Sequence, residues 1–518
     1  MNIGMIPAKW AALDPHAEAI IDVPNERRIT FRDLDEQVRR LANGLRDELG
    51  LDAGDRVAIL AKNSIEYQTL YFAAGRAGLV TQPLNWRLGT AELARIVGDG
   101  EPRVVIVAGE LVTQGADLHD QVRVEHWLQF GPGGDGSYEA LLERASDDEP
   151  PWSAQVGDDD PLFILYTGGT TGQSKGALHS HRSAYMAMVN QTVAERIVPT
   201  DVYMLTGQMY HIPVVLAMNY LAHGRPVVLI NFEPQLALEV IQQEQVSAFL
   251  GITTMLNWMM AVDGFDTYDL SNLRSIMYGG GPMPSTVVRN ALEAFPSDLL
   301  QGYGQTEGTT MTFLSPEVHR DAAAGRNVHR LRSCGREGFV TRLQVVDVHG
   351  NPVPRDARTA GEIVVRSEAN MLGYWRRPDL TEDTLRDGWM WTGDLATWDE
   401  ESFVYIVDRA KDMIISGGEN IYSAQVEEAI AHHDAVLEVA VIGVPDDEWG
   451  ENVHAVVVCK PGARTTEQEI IDTAREHLAS YQKPKSVEFV AELPKAPTGK
   501  ILKRELRKPH WDDQDRTV

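Results

Sequence analysis

The segment 164-ILYTGGTTGQSKG-176 runs an apolar strand into a stretch where, from Thr167 to Ser174, only Gln173 is not Gly, Thr or Ser. Lys175 closes it. Glycines let backbone N–H groups turn inward, hydroxyls add donors and lysine adds a point charge, which together suit a polyphosphate. The spacing GxxxxGK[ST] is absent, so this is not a Walker loop. Further along stand Glu307 in 301-QGYGQTE-307, Asp394 in 391-WTGD-394 and Lys500 in 494-PKAPTGK-500. Read singly, each carboxylate is a solvated group or a helix cap, and Lys500 is a surface lysine in a turn.

These groups must be held by regular elements. Thr30 with Asp33 reads as a helix N-cap pair, after which Leu34, Val38, Leu41, Leu45 and Leu49 share one helical face and Gly50 can end it. Strand patterns at 55–60, 225–230, 247–252 and 273–278 alternate with helix patterns at 64–78, 235–245, 254–262 and 285–295. Such βαβ alternation predicts mostly parallel sheets covered by helices. Between about 331 and 406, short strands such as 343–348 and 361–366 are separated by Gly, Pro and Asp turns, the texture of a small β-rich subdomain. A smaller α/β unit follows, with helices near 424–432 and 467–480 and strands at 436–444 and 453–459. The fold class expected is α/β: a large N-terminal domain, 1–408, of two βαβ-type layered subdomains plus the β-rich one, and a small α+β C-terminal domain, 409–518.

Composition narrows the partners. The 518 residues carry a formal charge of −28, with 43% hydrophobic and 24% charged residues, values of a globular protein that does not bind nucleic acid through bulk charge. From Tyr481 to Lys508 the balance reverses, with eight basic residues against three acidic ones. That basic patch is either a solvated lysine face or a receiver for a polyanionic small molecule. Cys334 and Cys459 are the only cysteines and no metal-type CxxC occurs, so a reduced, cytoplasmic setting is expected. The first residues do not read as a signal peptide, and no apolar run approaches the roughly 20 residues of a membrane span.

The phosphate-type loop resembles the signature of the adenylate-forming superfamily, which includes acyl-CoA synthetases, luciferase-like enzymes and peptide-synthetase adenylation domains. Four further segments match that family in order: 301-QGYGQTE-307, 391-WTGD-394, the hinge and glycine loop in 408-DRAKD-412 and 416-SGGEN-420, and 494-PKAPTGK-500. The resemblance implies an AMP-forming acyl-CoA ligase. A carboxylic acid and ATP would give acyl-AMP and pyrophosphate, and CoA would then give acyl-CoA and AMP. It further implies Mg²⁺ as cofactor. Expected partners are the small-molecule acid, ATP and CoA, without nucleic acid or a transmembrane segment; a homodimer is the assembly left open.

Attack of a carboxylate on the α-phosphate brings anion to anion, so the site must gather positive charge and orient both reactants. The resemblance implies that Thr167, Gly168, Gly169, Thr170, Thr171 and Lys175 hold the β- and γ-phosphates. Thr306 would contact the α-phosphate, and Glu307, with Thr167, would hold the metal ion. Tyr303 would pack on adenine beside Gly302, Gly304 and the segment Gly280, Gly281, Pro282. Asp394 and Arg409 would meet the ribose, and Lys500 would bridge carboxylate and α-phosphate. For the second step, Lys411 matches the hinge, Gly417 and Gly418 the loop beside the pantetheine arm, and Trp449 and the Lys483/Lys485 cluster the nucleotide end of CoA.

The acyl group is expected between Tyr210 and Tyr303. Tyr210-His211 matches the family's aromatic–His pair, with His211 beside the reacting carboxylate as a gate, and Met209, Val214, Val215, Met218, Met255 and Tyr278 are candidate walls. These suggest an apolar fatty, aryl or polycyclic acid. No Asp is placed to pair an amino acid's α-amino group, which disfavours a peptide-synthetase role. Several positions depart from the family pattern: Gly168 and Ser174 in the phosphate loop, GQMYHIP near the acyl site, and Gly251-Ile252 in 251-GITT-254. None removes a catalytic group. Rival readings are an adenylating enzyme with another acceptor, or one half-reaction only, and a non-catalytic acyl- or nucleotide-binding homologue. No fused carrier domain is expected in the 18 residues after Lys500.

Overall fold

The computed structural model describes residues 1–167, 174–281, 283–417, 419–446, 449–495 and 501–511. It divides into two compact units: one of residues 1–167, 174–343 and 365–390, the other of residues 344–364 and 391–511 apart from those not described.

In the first unit the local signals act as written. The Thr30 hydroxyl accepts from the Asp33 N–H at 3.2 Å and the Asp33 carboxylate accepts from the Thr30 N–H at 3.0 Å, closing a capping box on the helix Phe31–Asn43. Such a cap contributes about 1 kcal/mol. Leu34, Val38, Leu41 and Leu45 are fully buried. The chain then widens into a π-turn over Gly44–Glu48, and Gly50, at φ +68°, ends it. Ser64 caps the next helix, Ile65–Ala77, which stops at left-handed Gly78.

Two sheets organise this unit. In the seven-stranded sheet, Arg56–Leu60, Val80–Leu84, Val104–Ala108 and His126–Phe130 are parallel. The first three are almost wholly buried, as apolar strands covered on both faces are. The expected parallel order ends at the edge that matters. Pro161–Thr167 pairs antiparallel with Lys175–Ser180, with Thr167 opposite Lys175, and Gly373–Tyr374 adds antiparallel beyond it. Chain length is the cause: seven residues separate Thr167 from Lys175, and a parallel crossover needs roughly a dozen or more.

The nine-stranded sheet repeats the plan. Val227–Leu229, Tyr203–Leu205, Ala248–Leu250, Ser275–Gly279 and Asp298–Gln305 are parallel neighbours, and Asp298–Gln305 then turns back antiparallel into Thr309–Leu314. Strand parity assigns side chains to two cores. Met277 faces the core that holds Tyr210, Val214, Val215 and Met218, while its neighbour Tyr278 faces the other, with Ile276 and Leu299.

The strand Trp389–Trp398 belongs to the second unit from Trp391 on, and there its residues 394–398 pair antiparallel with Val404–Arg409. A five-stranded sheet contains Glu419–Ile421, Ile414–Ser416, Gly450–Cys459, Val436–Asp446 and Ser486–Phe489, the last parallel to Gly450–Cys459. One face carries the helices Ser423–Ile430 and Glu467–His477 on a core around Val441, Val453 and Val457. The other carries Lys503–Trp511 over Ala440, Val456 and Val458. Among the described residues, no helix is long and apolar enough to cross a membrane.

Candidate active site

Thr306, Glu307 and Gly308 form the three-residue tip of the hairpin Asp298–Gln305/Thr309–Leu314, closed by the Gln305–Thr309 pair. The turn is tight: Thr309 takes φ +57°, and a Cβ on Gly304 would collide with the Thr309 carbonyl. Gly280, at φ +77°, and Gly281 are exposed just past the carboxyl end of the adjacent parallel strand, whose Gly279 is opposite Gly302. Carboxyl ends of parallel strands are the usual ligand-binding rim of an α/β sheet. Tyr303 is half-buried in its strand, opposite Thr312.

The hairpin tip is tied to the strand that follows the phosphate-type loop. The Tyr374 hydroxyl donates to Glu307 Oε1 at 2.7 Å, and Lys175 Nζ lies 4.8 Å from the centroid of the same Tyr374 ring. The Glu307 carbonyl accepts from the Met371 N–H at 2.7 Å. His179 Nε2 is 2.8 Å from the Thr306 carbonyl and its Nδ1 is 3.1 Å from Ser183 Oγ. A carbonyl only accepts, so His179 carries its proton on Nε2. Burial pushes the His179 pKa down to about 4, which keeps the ring neutral. Thr167 Oγ1 is 3.5 Å from the Lys175 carbonyl, and Ser174 Oγ donates to Glu92 at 3.0 Å. Thus Thr167, Lys175, Thr306 and Glu307 are brought together around one tyrosine and one histidine. Gly168, Gly169, Thr170, Thr171, Pro282, Gly418 and Lys500 lie outside the described residues.

Tyr210 and His211 stand edge to face, 4.5 Å between ring centroids. The Arg87 guanidinium donates to the Tyr210 hydroxyl at 2.5 Å and stacks on Trp86 at 4.2 Å. His211 Nε2 is buried without a hydrogen-bond partner, and burial, with the Arg87 charge, lowers its pKa to about 4. Met209, Val214, Val215 and Met218 are buried in the same core as Tyr210. Tyr278 is not brought to them: it lies in the second core with its hydroxyl 2.8 Å from His319 Nε2. Met255 is half-buried on the helix Thr253–Met260.

In the second unit, Arg409 Nε sits 2.6 Å from Asp394 Oδ1, the two residues being directly opposite across Trp389–Trp398 and Val404–Arg409. The Asp394 N–H donates to Thr392 Oγ1 at 3.1 Å. The Lys411 carbonyl accepts from Arg507 at 3.2 Å. Gly417, at φ +61°, donates to the Trp449 carbonyl at 2.8 Å, and a Cβ there would stand 2.6 Å from the indole of Trp449, which is 47% exposed. Lys483 is half-buried.

Sequence reading passed over Tyr374, His179 and Arg87. Tyr374 is 67 residues from Glu307 and Arg87 is 123 from Tyr210, so no local spacing announces either pair.

Residues 7–375 match the model of the AMP-binding enzyme family, and residues 425–500 match that of the AMP-binding enzyme C-terminal domain. The chain is 37% identical over 510 residues to a feruloyl-CoA synthase of Amycolatopsis sp., covering 98% of this chain and 99% of the relative. It is 34% identical to a long-chain-fatty-acid–CoA ligase of Mycobacterium tuberculosis, covering 98% of each. Among solved structures, ATP-bound MatB from Rhodopseudomonas palustris superposes with a TM-score of 0.86 at 30% identity, covering 98% of this chain and 99% of that one. The chain belongs to the AMP-binding enzyme family, in the acyl-CoA synthetase branch of the adenylate-forming superfamily. It is an ATP-dependent acyl-CoA ligase, with ATP and CoA as its co-substrates.

Proposed function

We propose that this ligase activates an extended apolar carboxylic acid, aryl or fatty, with Thr167, Lys175, Thr306 and Glu307 at the triphosphate and Tyr210-His211 at the reacting carboxylate. The observation that carries the reading is the Lys175–Tyr374–Glu307 chain. It holds a cation over the ring and a carboxylate at the hydroxyl of one tyrosine, beside the hairpin tip and the strand that begins at Lys175.

Glu307 fits a hard divalent cation, being a carboxylate held by a neutral phenol. When bound, Mg²⁺ would neutralise phosphate charge during attack at the α-phosphate. The chain's own residues do the rest. Lys175 and the hydroxyls of Thr167, Thr170 and Thr171 would hold the β- and γ-phosphates, and Thr306 would orient the α-phosphate. Lys500 would follow the negative charge as it passes from carboxylate to phosphate. Asp394 would accept from the ribose hydroxyls, with Arg409 fixing its carboxylate. In the second step the CoA thiol attacks the acyl carbon and AMP leaves. Gly417 and Gly418 would leave room for the pantetheine arm, and Trp449 would face its adenine.

The buried apolar set around Tyr210 supports an apolar acid, and relatives named for feruloyl-CoA and long-chain fatty acids support an extended one. His211 is neutral and its Nε2 has no internal partner, so it suits a gate that hydrogen-bonds substrate rather than a fixed charge. Both cysteines are free, which supports a reduced cytoplasmic setting. The decisive experiment is a panel of aryl, fatty and polycyclic acids assayed for pyrophosphate, AMP and thioester, with and without CoA. Thioester formation fastest with an aryl or long alkyl acid is expected. A preference for short, charged or amino acids would overturn the proposed pocket.

A further inference from the structure

The second unit carries a cluster that the ligase reaction leaves unused. His454, Glu488 and His510 each offer one ligand atom, and these atoms lie within 4.8 Å of one another. His454 is on the strand Gly450–Cys459, Glu488 on the neighbouring parallel strand Ser486–Phe489, and His510 near the end of the helix Lys503–Trp511. Along its strand, His454 alternates with Val456 and Val458, residues of the core covered by that helix.

His454 and the helix bearing His510 are positioned by separate contacts. His454 is directly opposite Ser486, and its Nδ1 is 2.7 Å from Ser486 Oγ, which fixes the ring and leaves Nε2 to face the cluster. His454 is only 7% exposed, and its buried Nε2 makes no hydrogen bond; Glu488 Oε2 stands off at 3.7 Å. The rings of His454 and His510 are 5.1 Å apart between centroids. The helix bearing His510 is anchored by Trp511 Nε1 on the Gly443 carbonyl at 3.0 Å, by Lys503 on Glu427 at 2.7 Å and by Arg507 on Asp412. Glu488 and His510 are exposed. Ligands about 2.0–2.1 Å from a tetrahedral ion lie roughly 3.3 Å apart, a contraction that two exposed side chains can make.

We propose that His454, Glu488 and His510 form a three-ligand site for a divalent transition-metal ion of the Zn²⁺ class, with a fourth position open to water. Two neutral imidazoles and one carboxylate suit Zn²⁺ and disfavour the all-oxygen cations Mg²⁺ and Ca²⁺. With the ion on Nε2, His454 would donate its Nδ1 proton to Ser486 Oγ, the outer partner that orients the ring. The ion would clamp the helix Lys503–Trp511 to the sheet. Because Glu488 precedes and His510 follows the segment containing Lys500, it would also close that segment into a loop and restrict its unfolded ensemble.

The test uses the full chain after chelator treatment, without ATP, titrated with Co²⁺ at neutral pH and then with Zn²⁺. Co²⁺ should give the visible absorption of a four-coordinate site at one equivalent, Zn²⁺ should abolish it, and millimolar Mg²⁺ should not. Zn²⁺ should also raise the thermal midpoint. Glu488→Gln and His510→Ala change exposed residues, so both should fold; each should weaken Co²⁺ binding at least tenfold and lose the thermal shift. Unchanged Co²⁺ affinity in both variants, or no Co²⁺ absorption in the wild type, overturns the site.

Discussion

The carboxylate of Glu307 accepts a 2.7 Å hydrogen bond from the phenol of Tyr374, whose ring lies 4.8 Å from the ammonium of Lys175. One side chain thus contacts both a cation and a carboxylate. A direct Lys–Glu pair would neutralise both groups. In the proposed site the tyrosine would keep the lysine available to phosphate and the carboxylate available to a metal ion. It reaches this position because Gly373–Tyr374 pairs with the strand that begins at Lys175, with Tyr374 opposite Ala177.

Tyr374→Phe keeps the ring and removes the hydroxyl. A hydrogen bond to a charged group contributes about 1.5–3 kcal/mol, so pyrophosphate release should fall roughly 10- to 100-fold. The Mg²⁺ concentration for half-maximal rate should rise with it, while thioester formation from supplied acyl-AMP is retained. An unaltered Mg²⁺ dependence would remove Tyr374 from the positioning of Glu307.

Lys500→Ala should lose roughly 100- to 1000-fold in pyrophosphate release, by analogy with deleting one donor to a developing anion. It should still convert supplied acyl-AMP and CoA to thioester. Normal pyrophosphate release in this variant would sink the assignment.

Gly417→Ala forces a side chain into left-handed backbone and against the Trp449 indole, 2.6 Å away. The backbone term is about 1–2 kcal/mol. A displaced loop should slow thioester formation by up to about 100-fold while leaving adenylation near normal. Equal loss in both half-reactions would show that the loop does not act selectively in the second.

Burial holds His179, His181, His211 and His319 at pKa values of about 4, below the ordinary 6.5. The unfolded chain therefore binds more protons than the fold, and their stabilisation, complete above pH 6.5, is lost as pH falls toward 4. Glu195 acts oppositely: burial raises it to about 7, so its protonated form favours the fold and that contribution fades between pH 4.5 and 7. Four histidines outweigh one glutamate, so the thermal midpoint should drop from pH 7 to 5. Glu195→Gln should melt above wild type at pH 8, by a margin that narrows toward pH 5. A margin independent of pH would contradict the titration.

The family and the candidate residues were legible in the chain because they sit in short contiguous segments whose chemistry is local. A run of Gly, Thr and Ser after a strand suits phosphate wherever it folds, and five ordered segments suffice for the family. Element positions were equally local: the Thr30–Asp33 capping box, the Ser64 cap and the Gly78 stop need only neighbouring residues.

What the tertiary structure decided was pairing across distance and side-chain direction. Sequence reading placed Tyr278 in the acyl wall, but strand parity turns it to the other core and brings Met277 to the side of Tyr210. Tyr374 with Glu307, Arg87 with Tyr210 and Asp394 with Arg409 meet through sheet register or long-range packing. A one-residue shift in strand register reverses which face each side chain occupies, so the surroundings of these groups are fixed only when the sheets assemble.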